Sequence, residues 1–287
     1  MSLFRREITV CSLSSGSAGN ATWVGDRHAG ILIDCGLSTK KIFEGLQEKG
    51  LGDVPIDAVL VTHEHSDHVG SAAVLARYLA KKRGPVPFYM TRSTFEAAHP
   101  NSRPDGLEPI AAGEPFRVRH LRVEPIPVPH DAADPVAYRI QIGDVSVGII
   151  TDLGKPTALV GQHMKHCDVL LLEFNHDEEL LLEGPYPLAL KQRIRGSHGH
   201  LSNSQAQQLL SMGLGSRLKH LVLSHLSDEN NRADLALSAA FATLKEAGVP
   251  INQKEAHTGQ NREGGVTVQV ARQRVGLPPF RVEAREW

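Results

Sequence analysis

Cysteine is scarce in this 287-residue chain: Cys11, Cys35 and Cys167 stand alone, with no Cys-x-x-Cys pair. Three scattered thiols exclude a disulfide framework and a zinc ribbon, and they point to a reducing compartment. An excess of charge of one sign is also missing, since the formal net charge is −1. That balance excludes a surface coated in positive charge, yet leaves room for a local basic groove of the kind nucleic acids need. No apolar run approaches the length that spans a bilayer. Residues 1–10 carry Arg5, Arg6 and Glu7 with no apolar stretch behind them, so no signal peptide is expected and the protein reads as cytoplasmic, without a membrane partner. No short-period repeat is visible, and nothing in the sequence speaks to an oligomeric state. The length allows one large domain or two small ones.

What the chain does have is histidine, fifteen in all. Four potential metal ligands follow a β-branched run in Ala58-Val59-Leu60-Val61-Thr62-His63-Glu64-His65-Ser66-Asp67-His68. In extended backbone His63, His65 and Asp67 would point the same way, and His68 breaks the alternation where a helix over residues 69–82 is expected to begin. Imidazole and carboxylate together suit Zn²⁺, Mn²⁺ and Fe²⁺.

The same arrangement recurs along the chain. Asp34 ends an apolar run before Cys35-Gly36, His130 follows a predicted strand over residues 121–128, and Asp152 follows another over 145–151. His225 directly follows the predicted strand 220–224. A single such residue is more often an ordinary loop residue, but ligand types at successive strand ends read jointly as a site. A buried run over 169–172 leads into Glu173-Phe174-Asn175-His176-Asp177, where His176 fits a ligand neighbour, a substrate contact or an exposed residue equally. His200 precedes Ser202, which is positioned to cap a helix through Met212 and so places His200 at a helix N-terminus that attracts anions. Residues 14–20, Ser-Ser-Gly-Ser-Ala-Gly-Asn, read either as a simple turn or as a loop whose exposed N–H groups hold an anion. Lys191, Arg193 and Arg195 read as a solvated helix face or as a nucleic-acid contact. By pattern alone the chain is mixed α/β.

The motif H-x-H-x-D-H behind an apolar strand resembles that of the metallo-β-lactamase superfamily, and the resemblance runs from about Ile8 to about Arg232. Four further segments, residues 14–20, 173–177, 199–203 and His225-Leu226-Ser227-x-x-Asn230-Asn231, are similar to the YycJ/WalJ-type branch, regarded as metal-dependent DNA 5′→3′ exonucleases. The resemblance implies an α/β/β/α sandwich in a single domain over residues 1–287, with residues 272–287 as a peripheral extension without chemistry. It implies two divalent ions, one on His63, His65 and His130, the other on Asp67, His68 and His225, with Asp152 bridging. Asp34 would support the metal loop through hydrogen bonds. His200 or His176 would give a proton to the leaving oxygen, and Asp67 would act in catalysis as a ligand. Ser15, Ser17, Asn20 and Asn175 would contact the substrate, expected to be DNA.

Two departures from other branches narrow the reading. His65 stands where oxygen-reducing di-iron relatives carry glutamate, and Asp152 stands where many exported β-lactam hydrolases carry cysteine. Thioester hydrolases of the same fold share the ligands, so a small-molecule phosphodiesterase or thioester hydrolase is the alternative, followed by a non-catalytic interaction protein. A channel flanked by Lys40, Lys41, Lys81, Lys82, Arg83, Lys191, Arg193 and Arg195 would favour nucleic acid.

Overall fold

The computed structural model describes residues 5–252 and 265–285, which fall into two compact units. The first comprises residues up to 127, 132–145 and 273 onward. Its chain runs β1 (Arg5–Ser14), β2 (Ala21–Gly25), β3 (Gly30–Ile33), α1 (Thr39–Glu48), β4 (Ala58–Leu60), α2 (Ser66–Val69), α3 (Ala72–Arg83), β5 (Phe88–Thr91), α4 (Arg92–Ala97), β6 (Leu107–Ile110) and the antiparallel meander β7 (Phe116–Val118), β8 (Leu121–Pro127), β9 (Val136–Ile142).

β3 and β4 are short, apolar and buried along their whole length, as expected of strands covered on both faces. The helices are set by their caps and stripes. Ser38 accepts the Lys41 N–H at 3.3 Å to start α1, which buries Ile42 and Leu46. α3 buries Ala72, Leu75, Ala76 and Leu79, the 3–4 spacing of one helical face. These side chains pack with Trp23, Leu32, Val59, Phe88 and Met90 in one apolar core. The helix expected over 69–82 is interrupted: α2 closes at Val69, and α3 opens at Ala72 after Gly70-Ser71.

The second unit, residues 128–131 and 146–272, is a parallel sheet with helices. It runs β10 (Val145–Ile150), α5 (Ala158–Met164), β11 (Val169–Glu173), α6 (Glu178–Glu183), α7 (Leu188–Arg195), α8 (Asn203–Gly213), β12 (His220–Ser224), α9 (Ala233–Glu246), β13 (Ile251–Asn252) and β14 (Val266–Val270). The strands lie in the order β10-β11-β12-β14-β13. β10, β11 and β12 are buried at every position. Their register pairs Ile150 with Leu172 and Glu173 with Ser224, so the three strands end level with one another. α8 opens with a full capping box between Ser202 and Gln205.

The chain then returns to the first unit. β15 (Phe280–Arg285) pairs antiparallel with β1 from Val10↔Phe280 to Arg5↔Arg285, completing a seven-stranded sheet in the order β15-β1-β2-β3-β4-β5-β6. Residues expected to be a peripheral extension thus supply an edge strand. Among the described residues no helix is long and apolar enough to cross a membrane.

Candidate metal centre

In the first unit the ligand candidates lie within six residues of one another. β4 ends at Leu60, so only His63 and His65 share the extended stretch; Asp67 and His68 sit in the first turn of α2, with His65 as its N-cap. The expected three-residue alternation therefore stops at His65, and Asp67 is placed by the helix instead. His63 Nε2 and His65 Nδ1 lie 3.0 Å apart. Nitrogens about 3.3 Å apart are what one tetrahedral ion with bonds of about 2.0–2.1 Å needs. His68 Nε2 lies 3.5 Å from Asp67 Oδ2 and 2.9 Å from Asn20 Nδ2.

Asp34 holds this loop from below. It is buried, and its Oδ1 accepts from the Thr62 N–H at 2.9 Å while its Oδ2 accepts from His68 Nδ1 at 2.8 Å. Thr62 Oγ1 also reaches His63 Nδ1 at 3.0 Å. Both rings are thus held at Nδ1, the pattern that supports metal-binding histidines. Thr62 carried no signal in the sequence beyond its place before the motif.

The second unit gathers its candidates from strand ends. Asp152 follows β10, Glu173 ends β11 and His225 follows β12; the parallel register of the three strands puts them at the carboxyl edge of the sheet, where such sheets carry their sites. Asp152 Oδ1 lies 3.5 Å from His225 Nε2, 3.7 Å from His200 Nδ1 and 3.9 Å from His130 Nε2. His130 Nδ1 donates to the Gly199 carbonyl at 2.9 Å. Burial, opposed by the nearby Asp152 carboxylate, keeps the His130 pKa below the ordinary imidazole value, so the ring is a neutral donor at neutral pH. Asp152, Glu173, His200 and His225 each offer an atom within 4.8 Å of the others. Imidazoles and carboxylates gathered this closely make a donor set that fits a divalent ion.

Asp34, Asp152 and His225 share a further mark. Their φ values are 59°, 62° and 56°, and they are three of the five non-glycine residues with positive φ among those described. Each turns sharply off a strand end into the left-handed region, a conformation that persists where the surroundings fix it and that clusters at functional sites.

Glu173 is the residue the sequence reading missed. It is fully buried, its Oε1 accepts from His200 Nδ1 at 2.7 Å, and its Oε2 accepts the Leu153 N–H at 2.8 Å. A carboxylate closing an otherwise apolar buried strand was the available signal. His200 is thereby held at Nδ1, with Nε2 left to act. His176 differs: it is buried, and loss of hydration brings its pKa down to about 4, so it is neutral near pH 7 and unsuited to give a proton there.

The expected substrate contacts are placed unevenly. Ser17 is exposed and Ser15 buried. Asn175 is buried and turned onto His225, its Nδ2 donating to the His225 carbonyl at 2.9 Å and lying 3.2 Å from Nδ1. It orients that histidine. Asn20 is likewise buried and holds its own loop, accepting from the Gly16 N–H at 2.8 Å and donating to the Gly16 carbonyl at 3.1 Å. The reading of residues 14–20 as an anion cradle meets a difficulty here, because the N–H groups of Gly16, Ala18, Gly19 and Asn20 are all spent inside the protein. Of the basic residues, Arg193 pairs with Asp131, Lys191 donates to the Leu182 carbonyl at 2.6 Å, and Arg83 donates to the Val54 carbonyl at 2.8 Å.

Residues 30–226 match the model of the β-lactamase superfamily domain. The chain is 36% identical over 245 residues to the exodeoxyribonuclease WalJ of Streptococcus pneumoniae serotype 2, covering 83% of this chain and 89% of that protein. It is 32% identical over 244 residues to the exodeoxyribonuclease YycJ of Bacillus anthracis, covering 84% and 90%. Among solved structures, the metallo-β-lactamase fold protein YhfI from Bacillus subtilis superposes with a TM-score of 0.69 at 16% identity, covering 96% of this chain and all of that one. That likeness shows the fold.

Proposed function

Because this chain belongs to the β-lactamase superfamily, we propose that it is a divalent-metal-dependent phosphodiester hydrolase that degrades DNA from the 5′ end. The observation that carries this reading is the 36% identity to WalJ over nearly the whole of both proteins. One family model running through residues of both units supports reading the chain as a single domain. Buried thiols at Cys11, Cys35 and Cys167, none of them in a disulfide, suit a cytoplasmic location.

His63, His65 and His130 would hold one ion, Asp67, His68 and His225 a second, and Asp152 both; Zn²⁺, Mn²⁺ and Fe²⁺ all suit these donors. The chemistry such a pair supplies when bound is a more acidic water and neutralised phosphoryl charge. The protein's own groups do the rest. Asp34 and Thr62 fix the rings of His63 and His68 through Nδ1, and Asn175 fixes that of His225. Glu173 fixes His200 through Nδ1, so that Nε2 can give a proton to the departing 3′ oxygen of the cleaved nucleotide. His200 is therefore assigned the acid role, in preference to His176.

The test is an end-labelled, 5′-phosphorylated duplex incubated with metal-stripped protein, before and after Zn²⁺ or Mn²⁺ is restored. Stepwise loss of 5′ nucleotides that needs metal and disappears in Asp67→Ala is the expected result. Intact DNA beside rapid turnover of bis(p-nitrophenyl) phosphate would replace this reading with a small-molecule phosphodiesterase.

A further inference from the structure

Residues 14–20 contain two glycines at φ values of 136° and 131°, Gly16 and Gly19, a region that favours glycine over other residues. A loop of that kind has many conformations of similar energy, so outside contacts must select one. The contact comes from the far end of the chain. Gln273 Oε1 accepts the Ala18 N–H at 3.1 Å, and its side chain lies where a Cβ on Gly16 would be, 2.4 Å from the Gln273 Cγ. The neighbouring Arg274 N–H donates to Ser14 Oγ at 3.0 Å, and the Leu277 N–H to the Ser12 carbonyl at 2.9 Å.

From this loop, hydrogen bonds lead to the metal loop. Asn20 closes onto Gly16 through both side-chain atoms. Its main-chain N–H donates to the Asp67 carbonyl at 2.7 Å, and its carbonyl accepts the Gly36 N–H at 3.0 Å. Gly36 itself packs so close that a Cβ there would stand 1.7 Å from the Asp67 carbonyl oxygen. The Cys35 N–H donates to the His68 carbonyl at 2.7 Å. Asp67 and His68 are thus held from the main chain by a brace whose other end is Gln273.

We infer that Gln273 is a positioning residue: by holding the Ala18 N–H it fixes residues 16–20, and through Asn20 it fixes Asp67 and His68 for binding metal. This rests on the reading of Asp67 and His68 as ligands. The segment that the sequence presented as a tail without chemistry would then be part of the ligand scaffold. Supporting residues beyond the ligands typically alter metal affinity by roughly 10–100-fold, and an effect near the lower end is expected for one acting through a loop.

The experiment titrates the metal-stripped full chain with Zn²⁺ against a chromophoric chelator and compares Gln273→Met and Gln273→Glu with the unaltered protein. Methionine keeps the contact with Gly16 and removes the acceptor; glutamate restores an acceptor. Gln273→Met should weaken one zinc equivalent by roughly 10-fold and leave the other unchanged, and Gln273→Glu should return it. Amide exchange at Ala18 should quicken in the methionine variant and recover in the glutamate variant, a change that general loss of stability would not confine to this loop. Unaltered zinc binding and Ala18 exchange in Gln273→Met would overturn the inference, with Asp67→Ala as the separate control. If Asp67→Ala also binds both equivalents normally, the assignment of Asp67 as a ligand falls, and the inference with it.

Discussion

The two clusters of candidate ligands are built by different means. In the first unit, His63, His65, Asp67 and His68 come from one loop, and their mutual geometry follows from local backbone: two residues of extended chain, then a helical turn. In the second, His130, Asp152, Glu173, His200 and His225 are spread over nearly a hundred residues and meet because β10, β11 and β12 end level with one another. A local cluster can be read from the sequence but depends on an outside brace, here Asp34, Thr62 and Asn20, to keep it fixed. A cluster assembled by a sheet is rigid through the strands themselves, and its residues are individually inconspicuous.

This contrast sets the order of expected effects. Replacing Asp152, around which His130, His200 and His225 all lie within 3.9 Å, should do most harm. Asp152→Ala should lower metal-restored DNA hydrolysis by on the order of 10³-fold, measured as single-turnover rate, because charge stabilisation at the reacting centre is lost. His200→Ala should cost roughly 100-fold on DNA. It should cost far less on bis(p-nitrophenyl) phosphate, whose departing p-nitrophenolate needs no proton. An equal loss on both substrates would move His200 from proton donor to ligand.

In the first unit the brace is the point to break. Asp34→Ala removes the acceptor for the Thr62 N–H and for His68 Nδ1, both buried. Zinc affinity should fall by roughly 10–100-fold, read by chelator competition. The equivalent lost should be the one that Asp67→Ala also loses.

The smallest effect separates the second unit's framework from its chemistry. His220, at the start of β12, is buried, and that burial brings its pKa down to about 4, with Lys219 adding to the shift. The unfolded chain, with histidine near 6.5, binds more protons than the folded one between those values. Stability is therefore full above about pH 6.5 and declines as pH falls toward 4. His220→Leu should reduce that decline by up to about 3 kcal/mol, measured by urea unfolding at pH 7 and pH 4.5. Hydrolysis at neutral pH should hardly change.

What the sequence disclosed follows the same contrast. The motif from His63 to His68 was legible because four ligand types stood together behind an apolar strand. His130, Asp152 and His225 were legible for a similar reason, each standing one residue beyond an apolar run. Glu173 was not, since a carboxylate ending a strand looks like any strand terminus until its neighbour in space, His200, is known. Asn175 and Asn20 read as substrate contacts because an exposed asparagine and a buried one are alike in sequence; burial and their bonds to His225 and Gly16 decide. The place of Asp67 in a helix rather than an extended strand could not be seen, because Ser66 begins α2 without a strong capping signal. The role of residues 273–285 was hidden by distance, as pairing with β1 links opposite ends of the chain.

The proposed function requires ligands from both clusters. Zinc content by native mass spectrometry and DNA hydrolysis should be measured together in the unaltered protein, in His63→Ala and in His225→Ala. Two zinc ions are expected in the unaltered protein, fewer in each variant, and loss of 5′ nucleotide release in both. Full nuclease activity in either variant, with its fold intact, would contradict that requirement.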